Sequence, residues 1–373
     1  MPYFDPRPKE KIEDFYDREH ELKELINYMV EVKPLILVLG LRRTGKTSLL
    51  KVALNEANLP YIMIDCRVFE GDAYIRRQDF TNVLERELRR LLGFHRGLLE
   101  LLRGIRGVTV AGFSIKLNIR ENKMLLSDIL ANINDWAKEH STVFVLALDE
   151  AQELIRLKGI NLLPIIAYAY DNLRNISIVL SGSKIGLMYR FLRMHDPSSP
   201  LYGRVRYEVH LKNLSREKSI EFLTKGFEQL GIKPQMDVIG EAVNRLNGVI
   251  GWLTYFGILS SEHGLTREII DLTLEEGSKL ALEEVNNFLR LREQARKRYV
   301  NILHSIALGY NSWSEIKKRL EIEESREISS SIMLNLIRNL IDAGFIVKAN
   351  GKYLIPDPVL EYAIRKYYSK MLK

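Results

Sequence analysis

LILVLGLRRTGKTSLL, residues 35–50, decides the fold. Leu35 to Leu39 form a continuous apolar run stopped by Gly40, the pattern of a short strand covered on both faces. Gly40 to Thr47 read GLRRTGKT, matching G-x-x-x-x-G-K-[ST] at every fixed position. SLLKVALNEA follows, with apolar side chains at helical spacing. Strand, glycine loop and helix thus stand in the order a phosphate-binding loop requires. Gly40 and Gly45 let backbone N–H groups turn inward, and the helix adds its unpaired N-terminal amides and partial positive charge. Gly40, Arg42, Arg43, Thr44, Gly45, Lys46, Thr47 and Ser48 are therefore the candidate nucleotide-binding residues. Lys46 is expected to reach the β- and γ-phosphates and the Thr47 hydroxyl to ligate Mg2+.

Hydrolysis needs a second element. Residues 143–150, VFVLALDE, read as a buried strand ending in two carboxylates. Asp149 is the candidate for holding Mg2+ through water, and Glu150 stands where a general base polarises the attacking water. PYIMID (60–65) and ISIVLSG (176–182) read as two further strands, each after a helical connection. Alternation of this kind argues an α/β parallel sheet covered on both faces. Helical segments near 79–92 and 125–139 surround GVTVAGFSIKLNI (107–119), whose alternating residues about Ala111-Gly112 predict a β-hairpin projecting from the core.

At 373 residues the chain is long enough for two or three domains. A single cysteine, Cys66, leaves no internal disulfide and no cysteine-based zinc site, and points to a reducing cytoplasm. No segment approaches ~18 consecutive apolar residues, and MPYFDPRPKEKIEDF lacks a signal-peptide pattern; no membrane partner is expected. The net charge of +7 is unevenly placed, because residues 287–373 hold 16 Lys/Arg against 9 Asp/Glu while the remainder is balanced. A basic C-terminal part permits an anionic partner.

YEVHLKNLS (207–215) reads as a last strand of the sheet, with Ser215 as N-cap of the next helix. Helical runs continue to about 285. RKRYVNILHSIALG, SWSEIKKRLE and ISSSIMLNLIRNLIDAG then give three helices, and GFIVKANGKYLI two strands around Asn350-Gly351, a pair suited to a type I′ turn. This is a winged helix-turn-helix, and PDPVLEYAIRKYYSKML adds a tail helix expected to pack on it. The predicted architecture is a P-loop NTPase core (1–208), a helical lid (209–288) and a winged-helix domain (289–373). The third helix of the winged helix offers Ser329, Ser330, Ser331, Asn335, Arg338 and Asn339 to a groove, a thin set for reading bases. Lys317, Lys318, Arg319, Lys348 and Lys352 suit phosphates. DNA and a protein surface, including the chain's own core, both stand as partners.

These residues carry a resemblance. FYDREHELKEL (15–25), GLRRTGKTSLL, VLALDEAQEL (145–154), VLSGSKIGLM (179–188) and PLYGRV (200–205) are similar to segments of the archaeal ATPase family of AAA+-like P-loop proteins. That family lies near the STAND class and, more distantly, the origin-recognition ATPases. The resemblance implies ATP rather than guanine nucleotide, in keeping with the lack of an evident Asn-Lys-x-Asp-like guanine reader. It implies that Arg18 and Glu19 lie in the segment near the adenine, and that Ser181 and Ser183 supply a polar sensor for γ-phosphate or water. It further implies that Arg204 neutralises transition-state charge on its own or a neighbour's nucleotide, which brings in a homo-oligomer. Two positions depart. Leu41 stands where relatives often have proline, at a position with no fixed phosphate role. In RLNGVIGWL (245–253), Ile250 replaces the proline of a Gly-x-Pro lid turn, which weakens the expectation of a nucleotide contact there.

Three functions follow for the chain: an ATPase whose turnover drives or times a conformational change, a DNA-binding ATPase acting through its winged helix, and a non-hydrolysing ATP-binding scaffold. Intact Lys46, Thr47, Asp149 and Glu150 argue against the last.

Overall fold

The structure, a computed structural model, describes residues 3–94, 103, 105–111, 114–118 and 125–372. In chain order its first part runs α1 (Glu19–Val30), β1 (Leu35–Gly40), α2 (Lys46–Glu56), β2 (Tyr61–Asp65), α3 (Arg77–Phe94), β3 (Val108–Ala111), β4 (Ser114–Leu117), α4 (Leu125–Glu139), β5 (Phe144–Asp149), α5 (Leu162–Asn172), β6 (Ile176–Gly182), α6 (Ile185–Leu192) and β7 (Tyr207–Leu211). Five of these strands make one sheet in the order β2-β5-β6-β1-β7, every neighbouring pair parallel. Side chains alternate across a strand, and β1 shows the consequence. Leu35, Leu37 and Leu39 enter the core under α3, α4 and α5, whereas Ile36 and Val38 enter the opposite core with α1 and α2. A strand buried on both sides must be apolar throughout, as LILVL is.

The sheet extends past residue 208. Val209 and Leu211 of β7 are buried beside β1, so the expected core boundary falls inside a strand and the core runs to Leu211. The β3–β4 hairpin forms in antiparallel register, but it lies on the core instead of projecting from it. Ile115 and Leu117 are buried in the same cluster as α3 and α4, and the Leu117 N–H donates to Glu85 Oε1 at 2.7 Å. Gly112, expected in its turn, lies outside the described residues.

Helices follow: α7 (Arg216–Gln229), α8 (Met236–Leu246), α9 (Ile250–His263) and α10 (Arg267–Arg290). Ser215 caps α7 by accepting the Lys218 N–H. The winged helix comprises α11 (Arg296–Ala307), α12 (Trp313–Glu324), α13 (Ser330–Asp342) and the hairpin β8 (Val347–Ala349)–β9 (Lys352–Leu354), with Asn350 and Gly351 at φ 50° and 78° as a type I′ turn demands. The tail helix α14 spans Pro358–Met371.

The expected lid–wing boundary near 288 does not separate two bodies. Helix α10 is continuous, with Ile270 and Leu274 in the lid core and Ala281, Val285 and Leu289 in the winged-helix core. Likewise α14 serves both cores, Val359 in the first and Leu360, Ile364 and Met371 in the second. The N-terminal segment joins in as well. Phe4 packs against the lid aromatics Phe222 and Phe227, with ring centroids 5.7 and 4.9 Å away.

Candidate functional site

The loop after β1 is shaped by its glycines. A Cβ at Gly40 would sit 2.7 Å from the Leu211 carbonyl oxygen and 2.9 Å from Thr44 Oγ1, so close approach to β7 excludes any side chain. Gly45 has φ +94°, a left-handed conformation that glycine adopts without steric cost. Thr44 Oγ1 and Lys46 Nζ each donate to the Leu41 carbonyl at 2.8 Å. Helix α2 starts at Lys46 with no side-chain cap, leaving its first amides available to an anion.

Strand β5 delivers both carboxylates at its end, and the adjacent β6 brings the serines that hold them. Thr47 Oγ1 donates to Asp149 Oδ2 at 2.8 Å, and Ser181 donates to the other Asp149 oxygen. Asp149 is fully buried; burial pushes its carboxyl up, against the hydrogen bonds from Ser181 and Thr47. Glu150 turns off the strand at φ 51° into a short 3-10 helix, Ala151–Arg156. Its Oε2 accepts from Ser183 N at 3.1 Å, Ser183 Oγ at 2.6 Å and Gln152 Nε2 at 2.6 Å. Its Oε1 stands 4.0 Å from Lys46 Nζ. Burial raises the Glu150 carboxyl, but the Lys46 ammonium and the Ser183 and Gln152 hydrogen bonds outweigh it and hold the group below the usual range. Lys46 is pushed down by burial against the fields of Glu150 and Asp149. A hydroxyl and a carboxylate side by side are oxygen donors suited to a hard divalent cation. An ionised carboxylate held by three donors is suited to orienting water.

Thr44, Lys46, Thr47, Glu150 and Ser183 line a cavity of about 470 Å³, with the buried Asp149 behind Thr47, within the range of small-molecule sites. Pro6, Pro8, Phe15, Tyr16 and Arg18 form one wall, and the turn Ile250–Gly251–Trp252 another. The Gly251 N–H donates to the Arg43 carbonyl at 3.0 Å. The substitution of isoleucine for proline therefore does not take the lid turn away from the site. Ser48 lines the cavity and accepts the Lys9 N–H at 3.0 Å.

The other expected residues fall less simply. Arg18 lines the cavity, but its guanidinium reaches Glu21 and the Lys212 carbonyl, tying α1 to the end of β7; Glu19 opens α1 at an exposed position. Arg42 and Arg43 also line the cavity, yet their guanidinium groups turn to Glu284 of α10, at 3.2 and 2.6 Å. Arg204 is not at the cavity. It pairs with Asp171 and bonds to the Pro200 carbonyl, so the expectation that it serves its own nucleotide is not met. Ser181 donates to Asp149 and Ser183 to Glu150.

Sequence reasoning missed four contributors. Glu284 and Asp357 reach the loop arginines from the C-terminal part, Trp252 stacks beneath Arg43 with 4.1 Å between guanidinium carbon and ring centroid, and the segment 3–16 walls the cavity. Only the aromatic and proline content of the last gave a signal.

Residues 15–255 match the model of an ATPase domain predominantly from Archaea, and residues 293–355 match the C-terminal winged helix-turn-helix domain of MCM proteins. A Walker-type ATPase of Pyrococcus abyssi is 36% identical, with 97% of this chain and 99% of that one covered and a TM-score of 0.82. The Aeropyrum pernix ORC2 protein, solved as ADPNP–ADP complexes, shares the fold at 13% identity and a TM-score of 0.62, over 99% of this chain and 97% of its own. No curated protein matches in sequence.

Proposed function

The chain belongs to the ATPase family found predominantly in Archaea, and we propose that it binds ATP with Mg2+ at Gly40–Ser48 and hydrolyses it. One observation carries this reading: Lys46, Thr47 and Glu150 line one cavity, where Thr47 meets the buried Asp149 at 2.8 Å and Lys46 stands 4.0 Å from Glu150. Thr47 and Asp149 would hold the cation, which offsets phosphate charge when bound. Lys46 and the first amides of α2 take the β- and γ-phosphates. Glu150, kept ionised by Lys46, Ser183 and Gln152, orients the attacking water and accepts its proton, and Ser183 reports the state of Glu150 to α6. The lid turn and the N-terminal segment enclose the base and exclude water.

Turnover serves to time a conformational change. Arg42 and Arg43 belong to the loop that holds phosphate, yet they are bound to α10 and to the start of α14. A loop that closes on nucleotide therefore pulls on helices that belong to the winged-helix core. The winged helix acts in this reading as an intramolecular element. Asp342, in the last turn of α13, pairs with Arg190 of α6 at 2.8 Å, and Asn339 donates to Tyr299 Oη at 2.9 Å. Phosphate release measured with and without duplex DNA tests this: magnesium-dependent turnover that DNA leaves unchanged is expected, and turnover that requires DNA contradicts it.

A further inference from the structure

We propose that Arg67 is a catalytic arginine acting within its own chain, touching the terminal phosphate of the bound triphosphate; this rests on reading the site as an ATPase. Asp65 and Asp149 are register partners at the ends of β2 and β5, so the residues just beyond Asp65 emerge beside the cation and base carboxylates. There the chain enters a short 3-10 helix, Cys66–Phe69, anchored by the buried side chains of Cys66 and Phe69. Arg67 is exposed between them and lines the cavity together with Lys46, Thr47, Glu150 and Ser183.

Its guanidinium is already oriented. Asp65 accepts from Arg67 Nε at 2.9 Å, from Nη2 at 2.6 Å and from the Arg67 backbone N–H at 3.0 Å. This fork fixes one edge of the plane and leaves Nη1, on the opposite edge, outside the pair. Hydrogen bonding to Asp65, with the fields of Asp65, Asp149 and Glu150, keeps the group firmly charged. Arg7 makes the same fork with Asp5 but belongs to the N-terminal wall, whereas Arg67 lies close enough to act on both Lys46 and Asp149; Arg18 turns to Lys212 and Glu21, and Arg42 and Arg43 to Glu284. Arg204 lies outside the cavity.

In the reaction the water oxygen bonds to the γ-phosphorus, its proton passes to Glu150, and the bond from γ-phosphorus to the leaving β-phosphate oxygen breaks. ADP and inorganic phosphate result. Negative charge spreads over the γ-phosphate oxygens in the transition state, where a fixed cation acts most strongly because it needs no reorganisation. Arg67 supplies that cation, and Asp65 is its positioning residue.

The test combines steady-state turnover with equilibrium binding of ADP, alone and with magnesium and aluminium fluoride. Arg67→Ala should lower kcat on the order of 10²-fold and lose fluoride-dependent tightening, while ADP affinity stays within about threefold of wild type. Arg67→Lys keeps the charge without the fork and should recover only part of kcat. Asp65→Asn should fall between wild type and Arg67→Ala. Wild-type turnover in Arg67→Ala, with Glu150→Gln inactive in the same assay, overturns the assignment and leaves the ATPase reading intact. A parallel loss of ADP affinity and fluoride response marks a folding role and also overturns it. If the wild-type protein neither releases phosphate nor responds to fluoride, both readings fall.

Discussion

Arg43 of the phosphate-binding loop and Asp357 at the start of the tail helix are 314 residues apart, yet Arg43 Nη1 lies 3.4 Å from Asp357 Oδ2. Asp357 also accepts from Trp252 Nε1 at 2.8 Å and from the Val359 and Leu360 amides at 2.9 and 3.2 Å. One carboxylate therefore caps α14, holds the lid tryptophan and contacts the nucleotide loop. Glu284 doubles the tie by binding both loop arginines.

Loosening this tie should change turnover. Glu284→Gln combined with Asp357→Asn keeps the size of both side chains and the helix cap, since asparagine caps as well as aspartate. Coupling between such sites is typically worth about 1–3 kcal/mol, so basal hydrolysis should rise roughly fivefold or more. Unchanged turnover together with unchanged ATP affinity would show that the tie is only structural.

The same carboxylate predicts a pH effect. Burial pushes the Asp357 carboxyl above its ordinary value, only partly offset by Arg43. A carboxyl raised in the folded chain penalises folding at every pH above its folded pKa, and the penalty disappears as pH falls towards the unfolded value. Asp357→Asn should therefore gain most relative to wild type at neutral pH, and the gap in Tm should close on acidification into the ordinary carboxylate range. Melting curves of the two proteins that run parallel across that range contradict the assignment.

Arg204 is engaged by Asp171 outside the cavity. Arg204→Ala should leave the turnover of dilute protein unchanged. If it serves a neighbour's nucleotide, the defect appears only as concentration rises, and mixing Arg204→Ala with Lys46→Ala restores activity because each lends what the other lacks. A loss in dilute protein that is independent of concentration would place Arg204 in its own site after all.

The winged helix should be a poor reader of DNA. Among the residues expected in a groove, Ser329 caps α13 and Asn339 is bonded to Tyr299. Of the phosphate candidates, Lys317 pairs with Glu321 and Arg319 stacks on Tyr310. Any duplex affinity should be weak, fall steeply with salt because it rests on counterion release, and survive scrambling of the sequence. Tight, sequence-selective binding at physiological salt would reverse this view.

The loop and its carboxylates were legible because their chemistry is local. GLRRTGKT is contiguous, and a strand ending in Asp149-Glu150 needs only to lie in the same parallel sheet, here one strand removed from β1, to bring Asp149 to Thr47. What stayed hidden depends on distance. Glu284 reads as one charge on an acidic helix and Asp357 as an ordinary cap, since their partners lie hundreds of residues earlier. The lid–wing boundary had a readable sign: Ala281, Val285 and Leu289 continue an i, i+4 stripe, and no glycine or proline falls between Ser278 and Arg290 to stop α10. The hairpin had one as well, because Ile115 and Leu117 give β4 an apolar face that must be covered. Arg67 carries no motif, and only the register of Asp65 against Asp149 makes it conspicuous.

In the proposed mechanism Lys46 holds phosphate while Glu150 works only on the attacking water. Single-turnover cleavage and ATP binding, measured side by side in Lys46→Ala and Glu150→Gln, separate these roles. Lys46→Ala is expected to lose ATP binding, whereas Glu150→Gln should bind ATP as wild type does and cleave it at least about 10²-fold more slowly. Cleavage at the wild-type rate by Glu150→Gln, with magnesium present and ATP bound, would contradict this mechanism.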